Sequence, residues 1–218
     1  MENVKKTAKH YLRTMGVLPS KETVPVLISG DGFYYQVFER KDTQKKYVRI
    51  NGINKECDVL AIPEKISGIN VEVIKKGAFR GNTKLTQVKI PEGIRVIGAE
   101  AFKDCVNLEM VELPFDLKVI NKACFQGCSA LKTFSLPYGL ENICQDALDG
   151  CTKLDALKLP SKLEHIGKNA FGNSLIKKGN LKEKIKIIGL GFLSVISAIG
   201  LSAFFLFPLL ENLTSGIY

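Results

Sequence analysis

The chain has 218 residues, 45% of them hydrophobic, and 31 lysines and arginines against 22 acids give a formal charge of +9. That length holds one ordinary domain and an appendage, and nothing in it is low-complexity. The basic residues are scattered rather than striped, which argues against a nucleic-acid-binding protein; one cluster near the C-terminus is the exception and is expected to face a membrane.

Residues 1–20 come first. Lys5, Lys6, Lys9 and Arg13 interrupt every apolar run, so no secretory signal is expected there. Val4, Ala8, Tyr11 and Leu12 fall at helical spacing with Gly16 as a stop, which predicts a short amphipathic helix resting on the first repeat. In residues 21–56 the β-branched and aromatic content rises, in VPVLIS, FYYQVFER and KKYVRI. Gly30, Asp31 and Gly32 supply one turn and the run Lys41 to Lys46 another, so this stretch reads as a hairpin cap. A stack of repeats needs such a cap, because its first core layer would otherwise face water.

Residues 57–175 carry one pattern written repeatedly in register. Pro91, Pro114, Pro137 and Pro160 are spaced by 23 residues, a period that signals a solenoid. Counting on from each proline, apolar columns run Ile94, Leu117, Leu140, Leu163; Ile97, Ile120, Ile143, Ile166; and Phe102, Phe125, Leu148, Phe171. Cys105, Cys128 and Cys151 form a further column that Ser174 ends, and Leu113, Leu136 and Leu159 each stand just before a proline. One unit cannot bury its apolar side alone, so the columns imply a stack of coils. The alternation before each proline predicts a short strand, and the spacing of Ile97, Ala101, Phe102 and Cys105 predicts one or two helical turns behind it.

The repeat LTQVKIPEGIRVIGAEAFKDC resembles the BspA-type leucine-rich repeat, and CDVLAIPEKISGINVEVIKKGAF resembles that family's usual first repeat, with five extra residues between Pro63 and Phe79. The likeness runs from about Tyr34 to Phe171, with Asn82 standing in the cysteine column and Leu148 in the phenylalanine column. It implies an α/β repeat solenoid with short parallel strands on the concave face and short helical turns on the convex one. It also implies a protein-binding or adhesive surface without chemistry of its own.

The outward strand positions are then the candidate contacts for a protein partner: Gln87, Lys89, Met110, Glu112, Thr133, Ser135, Ala156 and Lys158. Phe115 and Tyr138, each one residue past its proline, either flank that surface as anchors or shield the rim of the core. The six cysteines read as buried thiols, each in an apolar column, with no CxxC pair and no histidine at ligand spacing, so no metal site is expected. The histidines, His10 and His165, lie in no nucleophile motif, and phosphate loops, GxGxxG and HExxH are absent from the sequence. No enzyme activity and no cofactor are expected.

Beyond the repeats, residues 176–186 form a basic linker, and Ile187 to Leu210 contains no charged residue over 24 positions. A bilayer-spanning helix needs about 20, so 187–210 is predicted to cross a membrane, leaving 211–218 as a short tail. Lys177, Lys178, Lys182, Lys184 and Lys186 precede the span and only Glu211 is charged after it, which places the repeats on the cytoplasmic side of a single-pass, tail-anchored protein. Ser194, Ala198 and Ser202 form a small-residue stripe compatible with weak homodimerisation of the helix. The expected role is recruitment of a protein partner at a lipid bilayer. A cell-surface adhesin or receptor with the repeats outside is the alternative.

Overall fold

The computed structural model describes residues 25–176. The predicted helix over 1–20, residues 177–186 of the basic linker with its five lysines, and the predicted span 187–210 lie outside the described residues. Among the described residues no helix is long and apolar enough to cross a membrane.

The described chain enters through three antiparallel strands. β1 (Leu27–Ile28), β2 (Phe33–Glu39) and β3 (Lys46–Ile53) pair antiparallel in sequence order. The tight return between β1 and β2 is closed by Gly32, whose N–H donates to the Ser29 carbonyl at 2.9 Å. Its φ of 86° is one that only glycine adopts freely, and a Cβ there would meet Asn54 Oδ1 at 2.2 Å. The first repeat comes next with β4 (Val59–Ala61), β5 (Lys65–Ile66) and β6 (Ile69–Ile74). Its five extra residues make the β5–β6 hairpin, turned by Ser67 and Gly68 with φ of 51° and 78°, the double positive φ that matches strand twist in a two-residue loop. β6 also pairs parallel with β3, so the cap passes into the solenoid through one continuous sheet.

From there the chain coils. β7 (Gln87–Lys89), β9 (Met110–Glu112) and β11 (Thr133–Phe134) extend from β4 as a parallel ladder, residue against residue one period on: Gln87 opposite Met110, Val88 opposite Val111. In each strand the central residue is buried (Leu60, Val88, Val111, then Phe134) and its neighbours point outward, the period of two that a half-buried strand requires. A second set of strands is β8 (Val96–Ile97), β10 (Val119–Ile120), β12 (Asn142–Ile143) and β13 (His165–Ile166). β10, β12 and β13 form a parallel sheet, and β8 joins β6. The column Ile97, Ile120, Ile143, Ile166 therefore lies in strands, not in the helical turns expected.

The helical turns themselves are corrected by the structure: residues 98–105 and their counterparts form turns, and the described residues contain no helix. The reason is where the backbone N–H groups go. Those of Ala101, Lys103 and Cys105 close tight turns onto Gly98, Glu100 and Phe102 at 3.1–3.3 Å. Those of Glu100, Phe102 and Asp104 instead donate to Lys122, Cys124 and Gln126 of the next coil at 2.7–3.0 Å. A helix would direct every one of them along its own axis. The alternation is possible because two positions per coil hold positive φ: Gly77, Glu100, Ala123, Asp146, Asn169 and Gly81, Asp104, Gly127, Gly150, Asn173. Both sets repeat at the period of the sequence.

The core runs unbroken between these three sides. Phe79, Phe102 and Phe125 stack with ring centroids 5.2 and 5.4 Å apart and planes 13° and 3° from parallel; Leu148 and Phe171 continue the column, both buried. Beside them, Cys105 Sγ donates to the Phe79 carbonyl, Cys128 Sγ to Phe102 and Cys151 Sγ to Phe125, at 3.1–3.3 Å. Each thiol thus satisfies a carbonyl of the preceding coil, the reason a small polar-capable residue recurs there. In the first coil Asn82 substitutes differently, its Oδ1 accepting from the N–H groups of Lys84 and Leu85 at 2.9 and 3.2 Å. All six cysteines are free.

Candidate functional site: the four-stranded ladder and its aromatic rim

The ladder β4, β7, β9, β11 presents a row of outward side chains whose spacing is set by backbone pairing. Gln87, Lys89, Met110, Glu112 and Thr133 occupy these positions, as expected from the alternation. Ser135 lies just past β11, and Ala156 and Lys158 are exposed in a segment that forms no strand. Charges on the ladder pair between coils: Lys89 with Glu112 at 3.7 Å, and Lys132 with Glu109 at 2.7 Å. The Lys132 ammonium holds the Glu109 carboxyl below its ordinary range. Both pairs are well exposed, so they set the pattern of charge on the surface more than its stability.

Phe115 and Tyr138 meet. Their rings stack 5.7 Å apart, 10° from parallel, while remaining 58% and 53% exposed. Two residues not anticipated from sequence complete this rim. The Phe115 N–H donates to the Glu92 carboxylate at 3.0 Å, and the Lys162 ammonium lies 5.2 Å from the Tyr138 ring centroid. The signal for Glu92 was present in the sequence as the same column one coil earlier, Glu92, Phe115, Tyr138, Ser161. A row of exposed aromatic edges held between a carboxylate and a cation is the kind of amphipathic contact that anchors protein interfaces.

Burial raises the thiols of Cys105 and Cys144 to about 11 and that of Cys151 to about 12, and raises those of Cys124 and Cys128 further. Thiols so shifted stay protonated and are poor nucleophiles near neutrality. His165, next to the buried Ile166, is lowered by burial. Lys76, with Arg80 beside it, holds Glu100 below its usual range through ion pairs at 3.3 and 2.8 Å. Among the described residues no cluster of three histidines, cysteines or acids is arranged to hold a metal ion. The five lysines that precede the predicted span lie outside the described residues.

Parallel strands in register at a 23-residue period, wound about one apolar core, define a leucine-rich repeat solenoid. The family profile described as BspA type leucine rich repeat region, in six copies, matches residues 72–200, more than half of the chain. The chain belongs to this family of leucine-rich repeat proteins.

A leucine-rich repeat protein from Bacteroides ovatus is similar at 28% identity and a TM-score of 0.53, over 70% of this chain and 39% of that one. A leucine rich cell surface protein from Faecalibacterium prausnitzii is similar at 25% identity and a TM-score of 0.58, over 74% of this chain and 42% of that one. A 44-residue stretch is 91% identical to part of an uncharacterised Lactococcus lactis subsp. cremoris protein, covering 20% of this chain and 7% of that protein. The chain therefore spans less than half the length of these relatives.

Proposed function

We propose that the chain is a protein-interaction module that recruits or scaffolds a partner at a membrane, binding through the outward face of the ladder and its aromatic rim. The observation that carries this reading is the exposed Phe115–Tyr138 stack, set beside side chains whose positions are locked by parallel backbone pairing. Rigid presentation matters because side chains already ordered lose little entropy on binding. Anchoring by residues 187–210, with the lysines from Lys177 to Lys186 against an anionic leaflet, would raise the local concentration of whatever binds. The role is binding rather than chemistry.

The direct test is a photoreactive residue placed in turn at Thr133 on the ladder and at Lys122 on the turn side. Partner adducts from position 133 and none from 122 support the reading; the reverse refutes it. Membrane fractionation, with protease protection of an N-terminal tag in intact and lysed cells, tests the anchor and its topology. A tag protected until lysis supports cytoplasmic repeats.

The second reading, a surface adhesin or receptor with the repeats outside, is favoured by the similarity to a cell surface protein of Faecalibacterium prausnitzii. Removal of the tag from intact cells would establish it over the first. Weak self-association through Ser194, Ala198 and Ser202 is a separate proposal, tested by crosslinking along that stripe.

A further inference from the structure

The strand ladder stops before the repeats do. Residues 155–159 (DALKL) restate the pattern of residues 109–113 (EMVEL), yet they form no strand, and β11 has two residues where β7 and β9 have three. The bonds from the Ile62 N–H to the Lys89 carbonyl and from the Ile90 N–H to the Glu112 carbonyl, both 3.0 Å, have no counterpart from Leu113 to Ser135 or from Leu136 to Lys158 among the described residues, so the ladder loosens one coil before the groove. An open groove of ≈ 830 Å³ lies between the two segments, with Phe134, Leu136 and Tyr138 on one wall and Ala156, Leu157 and Lys158 on the other.

Among the described residues, Lys158 is the one charged side chain that lines this groove. In the outward column Lys89, Glu112, Ser135, Lys158, the first two residues pair at 3.7 Å, whereas the residue that precedes Lys158 in the column is a serine. Among the described residues no carboxylate lines the groove, and a second cation, Lys162, sits over the ring of Tyr138, which does line it. The rest of the lining is mostly apolar. A segment in extended conformation, with apolar and acidic residues alternating, matches this: one set of side chains enters between Leu136 and Leu157 while the carboxylates reach Lys158 and Lys162.

We propose that this groove receives an extended acidic peptide segment of a partner protein, which lies alongside β11 as an added strand. The inference rests on the interaction role proposed for the ladder and names the partner chemistry and the part of the surface it uses.

The test is a fluorescein-labelled octapeptide of alternating glutamate and valine, titrated into the full-length chain at about 0.15 M salt, where long-range attraction is screened. Saturable binding is expected, weakened about tenfold by Lys158→Glu, unchanged by Lys122→Glu on the turn side, and absent for the octapeptide with lysine in place of glutamate. N-methylation of alternate peptide amides, which removes ladder donors, is expected to abolish it. Circular dichroism confirms that each variant is folded. Equal binding of the lysine peptide, insensitivity to Lys158→Glu, or no saturable binding overturns the proposal. Binding lost in Lys89→Glu and kept in Lys158→Glu overturns the groove but leaves the ladder as the interaction surface. Failure of the peptide together with failure of photocrosslinking from position 133 overturns both.

Discussion

Replacement of Phe102 by alanine probes the solenoid where its sides depend on one another. The ring is fully buried and sandwiched between Phe79 and Phe125 at 5.2 and 5.4 Å. Its backbone is tied on both sides, with the Phe102 N–H donating to Cys124 at 2.9 Å and the Phe102 carbonyl accepting from Cys128 Sγ at 3.1 Å. Collapse around the missing ring would strain those bonds, so the cavity stays open and the loss falls toward the upper part of the usual range for Phe→Ala, about 4–5 kcal/mol. That is comparable with the whole stability of many domains. Urea unfolding followed by far-ultraviolet circular dichroism measures it, with Phe102→Leu as the control. Leucine is native to the same column at Leu148, where it is buried, so the control should lose only about 1–2 kcal/mol. A Phe102→Ala loss below about 1 kcal/mol, or one equal to that of Phe102→Leu, would refute the continuous stack.

Two glycines separate conformational strain from collision. At Gly77 the φ is 66° and no atom lies within 4 Å of an added Cβ, so Gly77→Ala should cost about 1 kcal/mol from φ alone. At Gly98 an added Cβ would lie 2.4 Å from the Lys76 backbone nitrogen, so Gly98→Ala should cost about 2–3 kcal/mol by forcing the coils apart; thermal unfolding of the two variants should rank them in that order. The buried thiols make stability fall at alkaline pH. Their folded pKa values are raised, so as pH rises past about 9 the unfolded chain releases protons first. Each thiol then removes about 1.4 kcal/mol per pH unit, until Cys105 and Cys144 titrate near 11 and Cys151 near 12. Urea midpoints measured from pH 7 to 10 should decline, and less steeply in Cys151→Ala. Lys89→Glu, on an exposed pair, should change stability by no more than about 0.5 kcal/mol in the same assay.

Much of this architecture is legible in the sequence because it repeats. The columns Ile94 to Leu163 and Phe102 to Phe171 had to face one another, since a single coil cannot exclude water from them. The alternation at Gln87–Lys89 and Met110–Glu112 identified the outward residues of the ladder before any coordinates. What misled was the third side of the coil. Ile97, Ala101, Phe102 and Cys105 have helical spacing, but the positive-φ columns contain Glu100 and Ala123 as well as glycines and asparagines, and nothing in Glu or Ala announces a left-handed residue.

The period and the apolar columns were thus determined by the sequence alone, because hydrophobic burial in a repeating chain admits few arrangements. The tertiary structure decided where the backbone bonds run. A coil end whose N–H groups can donate either along its own chain or across to its neighbour forms turns when the neighbour's carbonyls stand within reach, as Lys122, Cys124 and Gln126 do for Glu100, Phe102 and Asp104. It decided equally that Phe115 and Tyr138 stack while the next coil draws away from β11, since contacts between residues 23 positions apart depend on how coils seat against each other.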